Sequence, residues 1–264
     1  MMGYSTDNWF ESMMKRTQSS LFLLLLLIAI SVEHNAAQHQ KTDRESNGLK
    51  GGVKTVKLET VKLTKNGDSL TEGKREVKSI EHYDQQGNLT QWENYLAGVL
   101  NLRVIYFNLD GERAVTFERF GGRGGVGPGN PGQPDPRFNF KYQYKYDANG
   151  NRIEIRRINN YNRLTDLTIN KYDARGNLVE SKETEYFYNT KPPERVEVTF
   201  YKLNDKGETI NETKPMYSID YSDYKFDETG NWISRKVKMD FTYDGSTTTS
   251  FYVEYRTIKY HPTS

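Results

Sequence analysis

The sequence has no cysteine in 264 residues, which excludes disulfides, thiolate nucleophiles and a lipid anchor carried on cysteine. Histidine is nearly as scarce. His34, His39, His82 and His261 are isolated or close to the termini, so the sequence offers neither a zinc site nor a His-based triad. Net charge is small, +2 for the whole chain and +3 once residues 1–37 are set aside, which gives no reason to expect nucleic acid as a partner. Apolar residues at helical spacing are also missing after residue 38. What is abundant is tyrosine: 19 of them, in a chain that is 13% aromatic, a bias toward strands.

The single long apolar run, LFLLLLLIAI at 21–30, is too short to span a bilayer comfortably. Lys15 and Arg16 precede it, and Ser31, Ala36 and Ala37 follow, the layout of a secretory signal peptide over residues 1–37. The acidic, aromatic lead of residues 1–12 is unusual for such a peptide and points to Met13 or Met14 as alternative starts. Cleavage sites near Ser31 and near Ala37 both qualify. The product is therefore expected to be secreted, periplasmic or on the cell surface. Residues 38–52, QHQKTDRESNGLKGG, read as a flexible polar lead-in, and 53–264 as one domain with a Gly/Pro-rich loop insertion at 121–136.

That domain repeats one turn. In KYDANGNRIE at 145–154, Asp147 suits the first position of a type I turn, because its carboxylate can accept a backbone N–H two residues on. Gly150 falls where φ must be positive, the combination that closes a bulged hairpin. Phe138, Phe140, Tyr142, Tyr144 and Tyr146 alternate with polar residues, the pattern of a half-buried strand. Clear copies of the turn are Tyr83-Asp84 with Gly87-Asn88, Tyr146-Asp147 with Gly150-Asn151, Tyr172-Asp173 with Gly176-Asn177, and Phe226-Asp227 with Gly230-Asn231. Weaker copies begin at Leu63, Phe107 and Leu203. Irregular turns are expected between them, at Glu72-Gly73, Leu96-Ala97-Gly98, 159–162 and 189–194. The spacing predicts an all-β antiparallel meander of about 15 strands, curled into a half-pipe, a closed barrel or a superhelical sheet. In each, the seven signature turns would line one rim and the irregular turns the other.

The Tyr-Asp-x-x-Gly-Asn pattern, four good copies at roughly twenty-residue spacing over about residues 55–235, resembles the YD repeat of the rearrangement-hotspot (Rhs) family. Members build β-sheet shells on exported bacterial proteins, often around a C-terminal toxin. Here the array is short and has no Asp-Pro-x-Gly-Leu boundary of the kind that precedes toxin segments. The resemblance thus implies a structural module and an exported setting, without a toxin segment.

Other motifs carry less chemistry. GRGGVG at 122–127 matches the dinucleotide fingerprint, but PGNPGQPDP follows it and cannot open the helix such a site needs, so a surface loop is expected and no cofactor. The turn aspartates each offer one carboxylate where calcium takes six to eight oxygens, so no metal is expected. Nothing singles out a catalytic pair, so the chain is expected not to be an enzyme, its residues of note being the repeat turns. The expected role is binding or scaffolding at the bacterial cell envelope. The partner is unknown from sequence, with carbohydrate or an envelope protein as candidates for tyrosines on an open face. The alternatives are a carbohydrate-active enzyme using an unidentified Asp/Glu pair and an outer-membrane β-barrel. The Tyr, Thr, Lys and Glu of the strands fit the barrel alternative poorly.

Overall fold

The computed structural model describes residues 40–66, 69–109, 112–120, 140–186, 193 and 195–262. The expected signal peptide, the 121–136 insertion and most of its surroundings lie outside those residues. Among the described residues there is one short helix, α1 (Asp43–Ser46), and fourteen strands. The first seven are β1 (Val53–Asn66), β2 (Ser69–Tyr83), β3 (Leu89–Leu96), β4 (Val99–Leu109), β5 (Glu112–Arg119), β6 (Phe140–Tyr146) and β7 (Arg152–Asn159). They continue as β8 (Leu164–Tyr172), β9 (Leu178–Glu185), β10 (Arg195–Leu203), β11 (Thr209–Lys214), β12 (Tyr217–Phe226), β13 (Trp232–Tyr243) and β14 (Ser246–Tyr260). Each strand pairs antiparallel with the next, and β1 pairs with β14, closing a barrel. The expectation of an all-β antiparallel meander thus resolves to its barrel form, with no edge left unpaired.

The signature turns fold through one set of bonds. In the second clear copy the Gly150 N–H donates to Asp147 O and the Asp147 N–H donates to Asn151 O. The Asp147 carboxylate accepts from the backbone N–H of Asn149 and Asn151 and from the Asn151 amide. Gly87, Gly150, Gly176 and Gly230 all have φ between 76° and 94°, the left-handed region that costs other residues strain. At 204–208 the charge is exchanged. Asn204 stands in the Asp position and Glu208 in the Asn position, and the Asn204 amide donates to the Glu208 carboxylate at 2.5 Å. At Asp173 the Asn177 amide and backbone N–H hold the carboxyl below its usual range. At Asp147 burial pushes the other way and is outweighed by the same donors. Both groups therefore contribute stability above the ordinary Asp range, which is lost as pH falls through their lowered folded values.

Two expectations are corrected. The Leu63 copy does not share a rim with the others. The strand that follows it, β2, runs 15 residues without a break, so the β1–β2 connection and the Tyr83 turn lie at opposite ends. The Glu72-Gly73 turn is instead a register shift inside β2, where a side chain on Gly73 would meet Lys62 O at 3.1 Å. One fewer turn on that rim gives the fourteen strands described, in keeping with the expected meander of about 15.

The lead-in is the second correction. Residues 40–52 form an ordered strap across the signature-turn rim. Thr42 and Glu45 make a reciprocal capping box for α1. The Lys41 N–H donates to Gly150 O, the Arg44 N–H to Gly87 O, and the Lys50 N–H to Asn231 Oδ1. Leu49 packs with Val53, Val56 and Tyr83 in the best-buried apolar cluster. At the strap's centre Asp43, 6% exposed, accepts Arg113 at 2.5 Å, Arg152 at 2.7 Å and the Leu89 N–H at 2.7 Å. The strap therefore ties turns from well-separated parts of the ring and floors one end of the barrel.

Gly150→Val and Gly176→Val should each cost about 1–3 kcal/mol in urea unfolding, from strain at positive φ. Asp43→Ala should cost about 3–5 kcal/mol, because it leaves two buried guanidiniums without their shared acceptor. Unchanged midpoints in all three variants would contradict this account of turns and floor.

Candidate functional site

Strand register decides which side chains share a face, since directly paired residues point the same way. One set runs Tyr142, Arg157, Asp166, Glu185 across β6 to β9, and Tyr221, Val237, Tyr252 across β12 to β14. Arg113 pairs with Tyr142 and is held by the strap's Asp43, so this face is the lumen. Burial pushes the hydroxyls of Tyr106, Tyr142, Tyr144 and Tyr221 upward, as expected for phenols crowded inside. Their rings meet guanidiniums: Arg113 lies over Tyr106 at 4.5 Å, Arg152 over Tyr144 at 4.6 Å and Arg235 over Tyr221 at 3.7 Å.

The opposite set points outward. Its rungs read Ile80, Glu93, Arg103, Glu118 on one side and Lys145, Glu154, Ile169, Lys182, Val198 on another. Paired charges bridge many rungs, including Arg103 with Glu93 and Glu118, Lys145 with Glu154, and Lys171 with Glu180. Lys145 and Lys171 are about 60% exposed (60% and 63%).

The other rim, the mouth, carries no such strap among the described residues. A cavity of about 430 Å³ opens there, walled by Phe140, Asn159, Tyr161, Leu164 and Tyr186 together with Arg157, Arg163, Asp166 and Glu185. The β7–β8 turn builds its lip: Asn159 Oδ1 accepts the N–H groups of Tyr161 and Arg163, and Asn162 takes a φ of 58°. That geometry leaves Tyr161 74% exposed at the tip. Behind it Arg157 pairs with Asp166 at 2.5 Å and lies over the Phe140 ring at 4.9 Å. The Tyr186 N–H donates to Thr165 O, which fixes the far wall.

Asp166, Glu183 and Glu185 bring carboxylate oxygens within 4.8 Å of one another. Burial, then the charges of Asp166 and Glu185, push the Glu183 carboxyl above its usual range, against the opposing pull of Arg157. Such a trio is a donor set for a hard cation or a carboxylate pair for acid–base work. Asp166 is nevertheless already neutralised by Arg157.

None of the repeat-turn residues named from the sequence reaches this mouth. Tyr83, Tyr146, Tyr172 and Phe226 end strands at the floor, and their Asp, Gly and Asn partners form the floor turns and anchor the strap. His82 lies on β2 and His261 contacts Tyr83 O at the floor, far apart in role from any catalytic group. GRGGVG lies outside the described residues. Phe140 and the 159–162 turn were named from the sequence, but not as a site, because the mouth residues come from β6 to β9 and converge only through register. The one local signal was the Asn-x-Tyr-Asn-x lip at 159–163.

Among solved structures, the chain is similar to a porin-like protein from Bacteroides uniformis, at 8% identity and a TM-score of 0.41, over 77% of this chain and 96% of that one. No protein-family model and no curated protein matches it. So distant a likeness says nothing about activity.

A raised folded pKa means that Glu183 adds stability below its ordinary range, about 4.3, and withdraws it as pH rises through the folded value. Glu183→Gln should therefore raise the melting temperature near neutral pH and leave it almost unchanged below about pH 4. A variant that melts lower at neutral pH would show that the ionised carboxylate is stabilising.

Proposed function

We propose that this chain is an exported, non-enzymatic β-barrel of the YD-repeat kind, standing in water at the cell envelope and binding carbohydrate at its open mouth. The observation that carries the reading is the asymmetry of the barrel among the described residues: an outer wall rich in paired charges, one end closed by the strap, and a cavity at the other rim. Exposed Tyr161 with Phe140 and Tyr186 offers ring faces for sugar stacking, and Arg163, Asn159 and Glu185 offer hydrogen bonds to hydroxyls.

The closed antiparallel meander favours a second reading, an outer-membrane barrel. The outward charges weigh against it. Lys236 and Lys238 sit mid-strand on β13 and face outward, and each such lysine costs about 2–4 kcal/mol at a bilayer midplane. A carbohydrate-active enzyme would draw on carboxylates such as Asp166, Glu183 and Glu185, which converge near the mouth.

Two measurements test the proposal. Envelope fractionation should recover the chain without detergent, and recovery only in detergent-solubilised outer membrane would establish the second reading. A glycan array should then show binding that falls at least tenfold in Tyr161→Ala, with no sugar product released. An array blank for the wild type, or new reducing ends, would reject it.

A further inference from the structure

Five arginines that face the lumen by strand register each have a carboxylate. Arg113 and Arg152 share Asp43, Arg157 has Asp166, Arg195 has Glu197, and Arg235 has Glu254 at 2.7 Å. Arg256, on β14, has none. Among the described residues no oxygen lies within hydrogen-bonding or ion-pairing reach of its guanidinium, and its Nε is sealed from solvent without an acceptor. The nearest acids are engaged elsewhere: Glu81 accepts the Tyr83 hydroxyl at 2.6 Å, and Glu254 holds Arg235. Burial, then the neighbouring Arg235 charge, pushes Arg256 down to about 10.

Leaving a guanidinium in this state is costly, because its lost hydration is not replaced by an anion. Yet the group is held in place. It stacks on the Trp232 ring at 3.6 Å, with Arg235 on the same indole at 4.3 Å. Stacking fixes the plane of the fork and leaves its terminal N–H edge free of protein acceptors. That arrangement suits a planar or tetrahedral oxyanion, which takes two parallel N–H bonds from an arginine edge. The nearby Arg235 is already paired with Glu254 and does not compete for the anion.

We propose that Arg256, oriented by Trp232, is the anchor of a second lumen site that receives an oxyanion, a carboxylate or phosphate group of a ligand entering through the mouth. It is separate from the mouth cavity, whose lining residues come from β6 to β9 and the turns that join them. The Trp232 face is occupied by the guanidiniums, so recognition there is of the charged group and not of a sugar ring.

The test uses the full exported chain and three probes: glucuronate, inorganic phosphate and uncharged glucose. Wild-type protein should bind at least one of the two anions at one site, with a change in tryptophan fluorescence and a rise in melting temperature, and should not respond to glucose in this way. The anion that binds identifies whether the natural group is a carboxylate or a phosphate. Arg256→Gln should weaken that binding at least tenfold and abolish the thermal shift, while melting no lower than wild type without anion, because it removes a cation that has no anionic partner. Arg256→Lys, which keeps charge but not the two-pronged edge, should bind with intermediate affinity and covers the case in which the glutamine variant fails to fold. Tyr161→Ala should leave anion binding unchanged, which separates this site from the mouth. The proposal is overturned if neither anion binds wild type, if binding persists in both Arg256 variants, or if Arg256→Gln melts lower and wild type shows no anion-dependent shift.

Discussion

The pairing of β1 with β14 is the constraint from which everything else follows. An open meander of this length would have two faces of similar character and two bare edges. Joining the first strand to the last converts the two faces into a lumen and an outer wall. The alternation along every strand then assigns each residue to one or the other. Aromatics and arginines gather inside because the concave side brings side chains together, which lets rings and guanidiniums cover one another. Lysine–glutamate rungs fall outside, and in the proposed reading water stabilises their exposed charges and screens the pairs.

Closure alone would leave two open ends. The strap from Lys41 to Lys50 changes that by bonding to signature turns on different parts of the ring. The turn chemistry serves both jobs. Asn231 Oδ1 accepts the Lys50 N–H and its amide donates to Lys50 O, while Gly87 and Gly176 keep the turn surface low enough for Thr42, Arg44 and Lys41 to lie against it. A side chain at Gly87 would meet Thr42 Oγ1 at 3.0 Å, so the glycine is needed twice, for its φ and for its bareness. The repeated turn is in this sense a landing surface as well as a reversal.

The turns were legible in sequence because Asp, Gly and Asn at fixed offsets answer a local steric demand. The strands were legible because Tyr142, Lys145 and their neighbours alternate within a few residues. Closure was not legible, since Val61 opposite Val253 has no signature that distinguishes it from any other cross-strand pair. The strap was hidden in a stretch that reads as polar and patternless, although Thr42-x-x-Glu45 is a capping signature there. The Leu63 turn misled because its spacing matched the repeat while β2 ran on past Gly73. The mouth and Arg256 depend on register over several strands, and register accumulates bulges, as at Ser222/Lys225, that no local pattern reports.

The central claim is that the outer wall faces water while the lumen carries the chemistry. The absence of native cysteine makes it directly measurable. Single cysteines would be placed at outward Thr213, Lys238 and Lys182 and at inward Tyr252, and spin-labelled. Collision rates with a water-soluble nickel chelate and with oxygen would then be compared in the presence of lipid vesicles. The account predicts that the chelate dominates at all three outward positions, with no apolar band around the barrel. Oxygen-dominated collisions at Thr213, Lys238 and Lys182 together would contradict it and place the wall in lipid.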